Sequence, residues 1–346
     1  MAGTTVCVSI VAYNNRRYIR RCLDAVLAQR GARFEVVVVD NASTDGAREI
    51  LEKYRGRLRL IYNRSNIGFA AAQNQAIHST GADWVLTLNP DVLMLPGFIR
   101  GLLEAGEMDP GAGAVCGKLL SIGAGFRPLK ERLIDSTGLY FTPEMRHFDR
   151  GWHESDGERF DHVEYVFGAS GAAALYRRRM IEDVSWNGAF FDPDFFSYRE
   201  DADVAWRSQL LGWRCIYTPA AEAYHVRSVV PGNRRAVAPA INMHSVKNRF
   251  LLRIKNATPA LYRRYWLAAT LRDLLVVAGC VAYEPRSLEA FWRLALCFKG
   301  ALRWRREIMS RRCVEDDALA RWFEDGPASR PIGLERSRGI LAPAAG

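Results

Sequence analysis

At 346 residues the chain is long enough for about two structural units, at roughly 150 residues each. Its 49% hydrophobic and 25% charged residues are ordinary globular composition, able to bury a real core. The net charge of +10 is uneven: residues 226–313 hold 18 Lys and Arg against four Asp and Glu, so a mildly acidic body carries a basic tail suited to an anionic surface, lipid or nucleic acid.

No apolar run approaches the roughly 18 residues of a membrane-spanning helix, and no apolar leader opens the chain. The seven cysteines form no C-x-x-C pair, which argues against a zinc site or a disulfide framework and fits a reducing cytosol. Short apolar strands then alternate with helical stretches. Residues 6–11 read as a strand, 18–29 as a helix and 34–40 as a strand with four consecutive valines. A helix over 44–54 takes Ser43 or Thr44 as its N-cap, with Asp45 near the positive end of the dipole. Strand 58–62, helix 69–79 and strand 84–88 follow. This βαβαβαβ rhythm requires a mostly parallel, doubly wound sheet. Ala12-Tyr13-Asn14-Asn15 after the first strand is neither G-x-G-x-x-G nor a P-loop, which argues against both nucleotide folds.

Polar residues gather in the loops at the carboxyl ends of these strands: Tyr13 and Asn14, then Asp40-Asn41-Ala42-Ser43, then Asn66-Ile67-Gly68-Phe69. Asp40 can accept hydrogen bonds from a base N–H, and Gly68 lets backbone approach a ligand. Each alone is also ordinary turn chemistry; three at one sheet edge point to a pocket. The stretch 85–92, Val-Leu-Thr-Leu-Asn-Pro-Asp-Val, is a buried strand that must stop at Pro90. Asn89 and Asp91 then project from its carboxyl end, where open α/β sheets bind ligands, and suit a hard divalent cation with the diphosphate it bridges. A simple strand-ending turn is the competing reading.

After a helix over 96–108 and a strand over 112–116 the rhythm loosens. His147, His153 and His162 lack metal-ligand spacing and read as solvated or lining residues. Hairpin strands fit 139–141 and 147–151. The small residues of 165–172 mark either close passage by a ligand or a tight strand crossing. The run 195–207 leads aromatic residues into Glu200, Asp201 and Asp203 at a helix start. The dipole alone favours acids there; crowding against an apolar wall also makes one of them a candidate general base. His225 follows a short strand, as a structural histidine or a ligand.

In chain order, SIVAYNN, VVVVDNASTDG, NIGFAAAQNQA, LTLNPDV, FGASGAAALYRR, FFSYREDADVAWRSQLLGWR and AYHVRS resemble the family 2 glycosyltransferases of the GT-A fold, and most closely their bacterial rhamnosyltransferase-like branch. The resemblance covers about residues 5–230. It implies an α/β fold of the nucleotide-diphospho-sugar transferase type over 1–230; charge and composition add a basic amphipathic helical extension over 231–325 and a Pro/Gly/Ala/Arg-rich disordered tail over 326–346. It also implies roles. Ala12, Tyr13 and Asn14 pack on the nucleotide and Asp40 holds the base; Asn66, Gly68 and Asn74 close over the nucleoside. Asn89 and Asp91 match the D-x-D motif, with His225 as distal metal ligand. Asp201 matches the catalytic base; Gly171, Glu200 and Asp203 match the acceptor side. Asn89 replaces the first aspartate, and because an amide is a weaker cation ligand it is expected at the nucleotide sugar, with Asp91 and His225 on Mg²⁺ or Mn²⁺.

Beyond 230, residues 244–256, 265–281 and 291–309 read as helices, the second interrupted by Arg272 and Asp273. Basic amphipathic helices with tryptophan lie in the membrane interface; the alternative is a helical cap packed on the body. The resulting expectation is an inverting, metal-dependent transferase, cytoplasmic and peripheral on the inner face of the cell membrane. It would move L-rhamnose from dTDP-rhamnose onto a lipid-linked or polysaccharide acceptor, with no nucleic-acid partner. A UDP- or GDP-sugar transferase and a non-catalytic nucleotide-sugar or lipid-binding subunit are the alternatives.

Overall fold

In the computed structural model, residues 3–227, 238–324, 326 and 330–331 are described. The βα rhythm read from the sequence forms β1 (Thr5–Ala12), α1 (Ile19–Leu27), β2 (Arg33–Asp40), α2 (Ala47–Glu52), β3 (Arg59–Tyr62), α3 (Phe69–His78) and β4 (Trp84–Leu88). Strands β4, β1, β2 and β3 are neighbours in that order and all parallel. The central strands of this half are covered on both faces, which is why β1, β4 and the Val36–Val39 stretch of β2 are mostly apolar and buried. Val6, Val8 and Ile10 pack on α1 residues Ile19, Leu23 and Val26, while Cys7 and Val11 pack with α3 residues Ala70 and Ala76. One start differs from expectation. α2 begins at Ala47 behind a left-handed Gly46, and Asp45 Oδ1 takes the Ala47 N–H at 3.0 Å.

The other half breaks the parallel rule. Beyond β5 (Val92–Met94), α4 (Phe98–Glu107) and β6 (Ala112–Ser121) come β7 (Ile134–Ser136), a hairpin of β8 (Leu139–Phe141) and β9 (His147–Asp149), and β10 (Glu164–Val166). β11 (Ala173–Arg177) runs antiparallel between β4 and β6, so the eleven-stranded sheet is mixed. α5 (Arg178–Val184) and α6 (Glu200–Leu210) precede β12 (Arg214–His225), a twelve-residue strand parallel to β6.

The chain continues as α7 (Pro239–Asn256), α8 (Pro259–Tyr283), α9 (Glu289–Ser310) and α10 (Asp316–Glu324), with β13 (Arg330–Pro331) paired to β10. The boundary expected at 230 and most of the tail expected to be disordered lie outside the described residues. These helices share the main core: Leu251 and Leu252 of α7, Leu261 of α8, Trp304 and Ile308 of α9 and Phe323 of α10 join the cluster that contains β1 and β4. Lys255 of α7 is fully buried, bonded to Asp192 at 2.7 Å and Asp203 at 2.9 Å.

The expectation that no segment reaches spanning length is corrected by α8. It runs unbroken through Arg272 and Asp273 for 25 residues, and is long and apolar enough, by length and composition alone, to cross a membrane. Thr258 caps it, with its hydroxyl accepting the Leu261 N–H at 3.1 Å and Pro259 opening the first turn. Asp273 does not interrupt the helix because its carboxylate is met by Arg249 (2.9 Å) and Arg253 of α7. Trp266, Leu271, Leu274 and Leu275 of α8, and Trp292 and Leu296 of α9, are left exposed.

Candidate active site

The site is built where the strand bearing Leu88 stops. The turn at Asn89-Pro90-Asp91 is closed by the Asn89 N–H to the Ala172 carbonyl (2.8 Å) and the Val92 N–H to the Asn89 carbonyl (3.1 Å). β5 then pairs antiparallel with the end of β12, setting Val92 opposite His225. That pairing places His225 Nε2 3.5 Å from Asp91 Oδ1. On its other side, His225 Nδ1 lies 2.7 Å from Asp135 Oδ2 of β7. Arg227 donates to Asp135 (2.8 Å) and to Asp149 (2.7 Å). Burial opposes ionisation of Asp135, but His225 and Arg227 hold its carboxyl well below the usual range. An ionised carboxylate only accepts, so His225 donates from Nδ1 and turns Nε2 towards Asp91. Burial also disfavours the imidazolium, yet Asp135 and Asp91 outweigh it and raise His225 to about 10. The space between Nε2 and Asp91 favours positive charge, whether a proton or a metal cation.

Facing this pair is the start of α6. The chain enters it through three non-glycine residues with left-handed backbone, Phe196 (φ 64°), Tyr198 (φ 70°) and Arg199 (φ 70°). Asn248 of α7, fully buried, holds that loop by donating to the carbonyls of Phe195 (2.9 Å), Ser197 (2.9 Å) and Tyr198 (2.7 Å). Asp201 Oδ2 accepts the Gly171 N–H at 2.8 Å and Oδ1 accepts the Ala202 N–H at 2.7 Å. A Cβ at Gly171 would sit 3.2 Å from Asp201 Oδ2, so glycine permits this close approach. Burial raises both carboxyl groups here, with Asp201 adding to the effect on Glu200. Glu200 Oε2 is buried with no hydrogen-bond partner among the described residues, and burial with the neighbouring Asp201 favours the neutral form of Glu200, while two backbone N–H groups favour the charged form of Asp201.

Asn89, Asp91, Gly171, Glu200, Asp201 and His225 line one cleft of about 690 Å³. Asp203 does not reach it. It is fully buried behind the helix, bonded to Arg207 (2.9 Å), Lys255 (2.9 Å) and Asn256 (2.8 Å), which together hold its carboxyl low against burial. Asn74 likewise serves the fold, clamping the Phe191 backbone through both amide atoms (2.7 and 2.9 Å). Asn66 accepts from Asn41 (2.8 Å), and Gly68 makes room for Phe196, whose ring and carbonyl would lie 2.7 Å from an added Cβ. Ala12, Tyr13, Asn14 and Asp40 share the sheet edge but lie outside the cleft walls. Asn14 Oδ1 takes the Thr44 N–H (2.8 Å), and Asp40 is buried against Arg48 (2.8 Å) and the Ser43 N–H (3.2 Å). Of the three histidines read as solvated or lining, His147 lines the cleft, 3.2 Å from Arg199, and burial with the surrounding arginines keeps it neutral.

Sequence reasoning missed Asp135, Asp149, Arg227 and Arg272 in this site. The first three carry no spacing signal, since β7 and the end of β12 meet only through β6, and β9 reaches them from a separate hairpin by the Asp149–Arg227 ion pair. Arg272 does leave one: with Asp273 it is a charge inside the apolar stretch 265–281.

The family described as "Glycosyl transferase family 2" matches residues 7–185. An N-acetylglucosaminyl-diphospho-decaprenol L-rhamnosyltransferase of Mycobacterium tuberculosis is 30% identical over 234 residues, covering 63% of this chain and 75% of that protein. A putative teichuronic acid biosynthesis glycosyltransferase of Bacillus subtilis is 36% identical over 89 residues, 24% of this chain and 35% of that one. Among solved structures, GalNAc-T7 with UDP, GalNAc and Mn²⁺ superposes with a TM-score of 0.57 at 13% identity, over 73% of this chain and 48% of that one. A mannosyltransferase of Pyrobaculum calidifontis with GDP-mannose and Mn²⁺ gives 0.50 at 19% identity, over 88% and 84%. At such identities these two likenesses bear on the fold alone. The family match and the mycobacterial relative carry more: the chain belongs to glycosyltransferase family 2, in its rhamnosyltransferase-like branch, and is a glycosyltransferase.

Proposed function

We propose that this glycosyltransferase moves L-rhamnose from dTDP-rhamnose, with inversion, onto a lipid-linked or polysaccharide precursor of a cell-surface glycan, while held peripherally on the inner, cytoplasmic face of the membrane. The observation that carries the reading is Asp201, oriented by the Gly171 N–H, in the same cleft as the Asp91–His225 pair. The name of the mycobacterial relative supports the sugar and the acceptor class. Exposed apolar side chains on α8 and α9 support the membrane surface.

In this reading Asp201 takes the proton of the acceptor hydroxyl as that oxygen bonds to the anomeric carbon and the bond to the nucleoside diphosphate breaks. The two N–H donors on Asp201 fix its carboxylate, and the protonated Glu200 adds no competing charge. Among the described residues no three His, Cys, Asp or Glu side chains cluster to hold a metal unaided. Asp91 and His225 nonetheless fit a divalent cation and are the residues that would hold it beside the donor. A ring nitrogen pinned by a buried carboxylate, as Asp135 pins Nδ1, is the usual orienting arrangement for a metal-binding histidine. Bound Mg²⁺ or Mn²⁺ supplies charge that stabilises the leaving diphosphate.

Thermal shift against dTDP-rhamnose and a panel of UDP- and GDP-sugars, with Mn²⁺ or EDTA, tests this. The expected result is stabilisation by dTDP-rhamnose only with metal, lost in Asp91→Ala and largely kept in Asn89→Ala. A UDP- or GDP-sugar in its place would change the donor; binding unaffected by EDTA would remove the cation.

A further inference from the structure

Two guanidinium groups in the cleft have no part in the chemistry above. Arg146 lies between β8 and β9, and Arg272 comes from the middle of α8; both line the cleft. Arg272 Nε is buried with no hydrogen-bond partner among the described residues. Arg146 sits with its guanidinium 4.4 Å over the Phe148 ring. The two are close enough that Arg272, after burial, pulls the Arg146 pKa down, with Glu144 acting against it.

Nearby carboxylates are committed elsewhere. Asp273 is taken by Arg249 and Arg253, and Asp149 by Arg227. Glu144 lies within electrostatic reach of both arginines, one negative charge against two positive ones. Like charges held together on a concave wall with an unsatisfied donor call for an anionic ligand.

The place of Arg272 says which anion. The helix that turns this arginine into the cleft carries exposed Leu271 immediately before it and exposed Leu274 and Leu275 in the next turn, at 54%, 61% and 64% exposure. A nucleotide sugar has phosphates but nothing apolar to lay on such a surface. A lipid-linked acceptor has both. We propose that Arg146 and Arg272 form a phosphate subsite for an acceptor carried on a prenyl diphosphate, whose apolar chain lies along the exposed face of α8. This rests on the glycosyl-transfer reading above and specifies its acceptor side.

The test compares two acceptors with the full chain: a short-chain prenyl-diphosphate glycoside and the same sugar as an alkyl glycoside without phosphate. Wild type should prefer the first. Arg146→Gln and Arg272→Gln should each cut the ratio of the two kcat/KM values about tenfold, and Arg272→Lys should keep most of it. Thermal melting confirms that each variant is folded. A ratio unchanged in both variants, or a rise in donor KM in its place, overturns the subsite, the latter by assigning the pair to the leaving diphosphate. Flotation on phosphatidylglycerol against phosphatidylcholine vesicles separates the other phosphate source. Loss of phosphatidylglycerol binding with the ratio unchanged would make the pair a headgroup contact and overturn the proposal. Wild type that transfers to both acceptors without preference sinks the subsite alone. No transfer to any acceptor sinks the functional reading itself.

Discussion

At the scale of single residues, two adjacent carboxyl groups are given different work by their surroundings. Both are raised by burial, but only Asp201 has N–H donors to support its charge. Asp201→Asn should therefore bind donor and stay folded while kcat falls by about 10²–10⁴, because an amide cannot take the hydroxyl proton. Glu200→Gln should keep kcat within about tenfold, since a protonated carboxyl and an amide are alike in charge. The pH profile carries the sign. A base must be ionised to act, so kcat/KM should fall as pH drops through the raised pKa of Asp201, on an acid limb above the ordinary aspartate range. Stability runs the other way. A carboxyl raised by folding contributes stability that is complete below its unfolded pKa and is lost as pH rises through its folded value. Glu200→Gln should therefore gain Tm relative to wild type on going from pH 6 to pH 9. Equal Tm differences at both values would contradict the protonated Glu200.

At the scale of elements, α7 both lines the cleft, through Ile241, Asn242 and Ser245, and positions the loop that leads to Asp201. Each residue in a left-handed conformation costs about 1–3 kcal/mol and persists only where its surroundings hold it. Asn248 is the holder, with one amide nitrogen shared by three carbonyls of the loop that enters α6. Asn248→Ala should lower stability by about 1–3 kcal/mol, as buried acceptors lose their donor. It should also lower kcat more than it raises donor KM, since the loop sets where Asp201 stands. A purely structural role would lower the melting temperature and leave kcat alone. α9 in turn holds α7: Arg305 donates to the carbonyls of Ile254 (3.0 Å) and Ala257 (2.7 Å) at that helix's end. Arg305 is thus a cap on α7, distinct from its exposed neighbours Arg303 and Arg306.

At the scale of the whole molecule, the basic helices are both cap and exposed surface. One side of α7, α8, α9 and α10 belongs to the central core, with Phe323 packed at ring-centroid distances of 5.3 Å from Phe141 and 5.1 Å from Trp206. The other side shows Trp266, Leu274, Leu275, Trp292 and Leu296, with Arg303 and Arg306 exposed further along α9. Arg303→Glu with Arg306→Glu should weaken flotation on anionic vesicles, each cation contributing about 1 kcal/mol near such a surface. Melting temperature should be kept, because neither side chain is buried. Raising salt to 1 M, where the Debye length is about 3 Å, should release wild type only in part, since the apolar side chains remain. Binding indifferent to both charge and salt would leave the apolar face as the sole attachment.

The sequence alone determined the βα rhythm of the first half, the stop at Pro90, the Glu200-Asp201 helix start and the family. Those are local signals, set by periodicity, by proline's missing N–H and by short motifs whose spacing survives without knowledge of contacts. It was also enough to name Asn89, Asp91, Gly171, Asp201 and His225, which the fold brings to one cleft. Residue chemistry without the family resemblance could not separate Asp201 from Asp203, and the resemblance itself set Asp203 on the acceptor side, where the fold does not put it. The two lie two residues apart on one helix, and only packing of α7 turns one towards the cleft and buries the other against Lys255. The same holds for Asp135 and Arg227, whose role comes from strand pairing across the sheet. Arg272 read as an interruption in an apolar run. Tertiary structure made it a cleft residue, because a charge within a helix is tolerated wherever the fold gives that face somewhere polar to look.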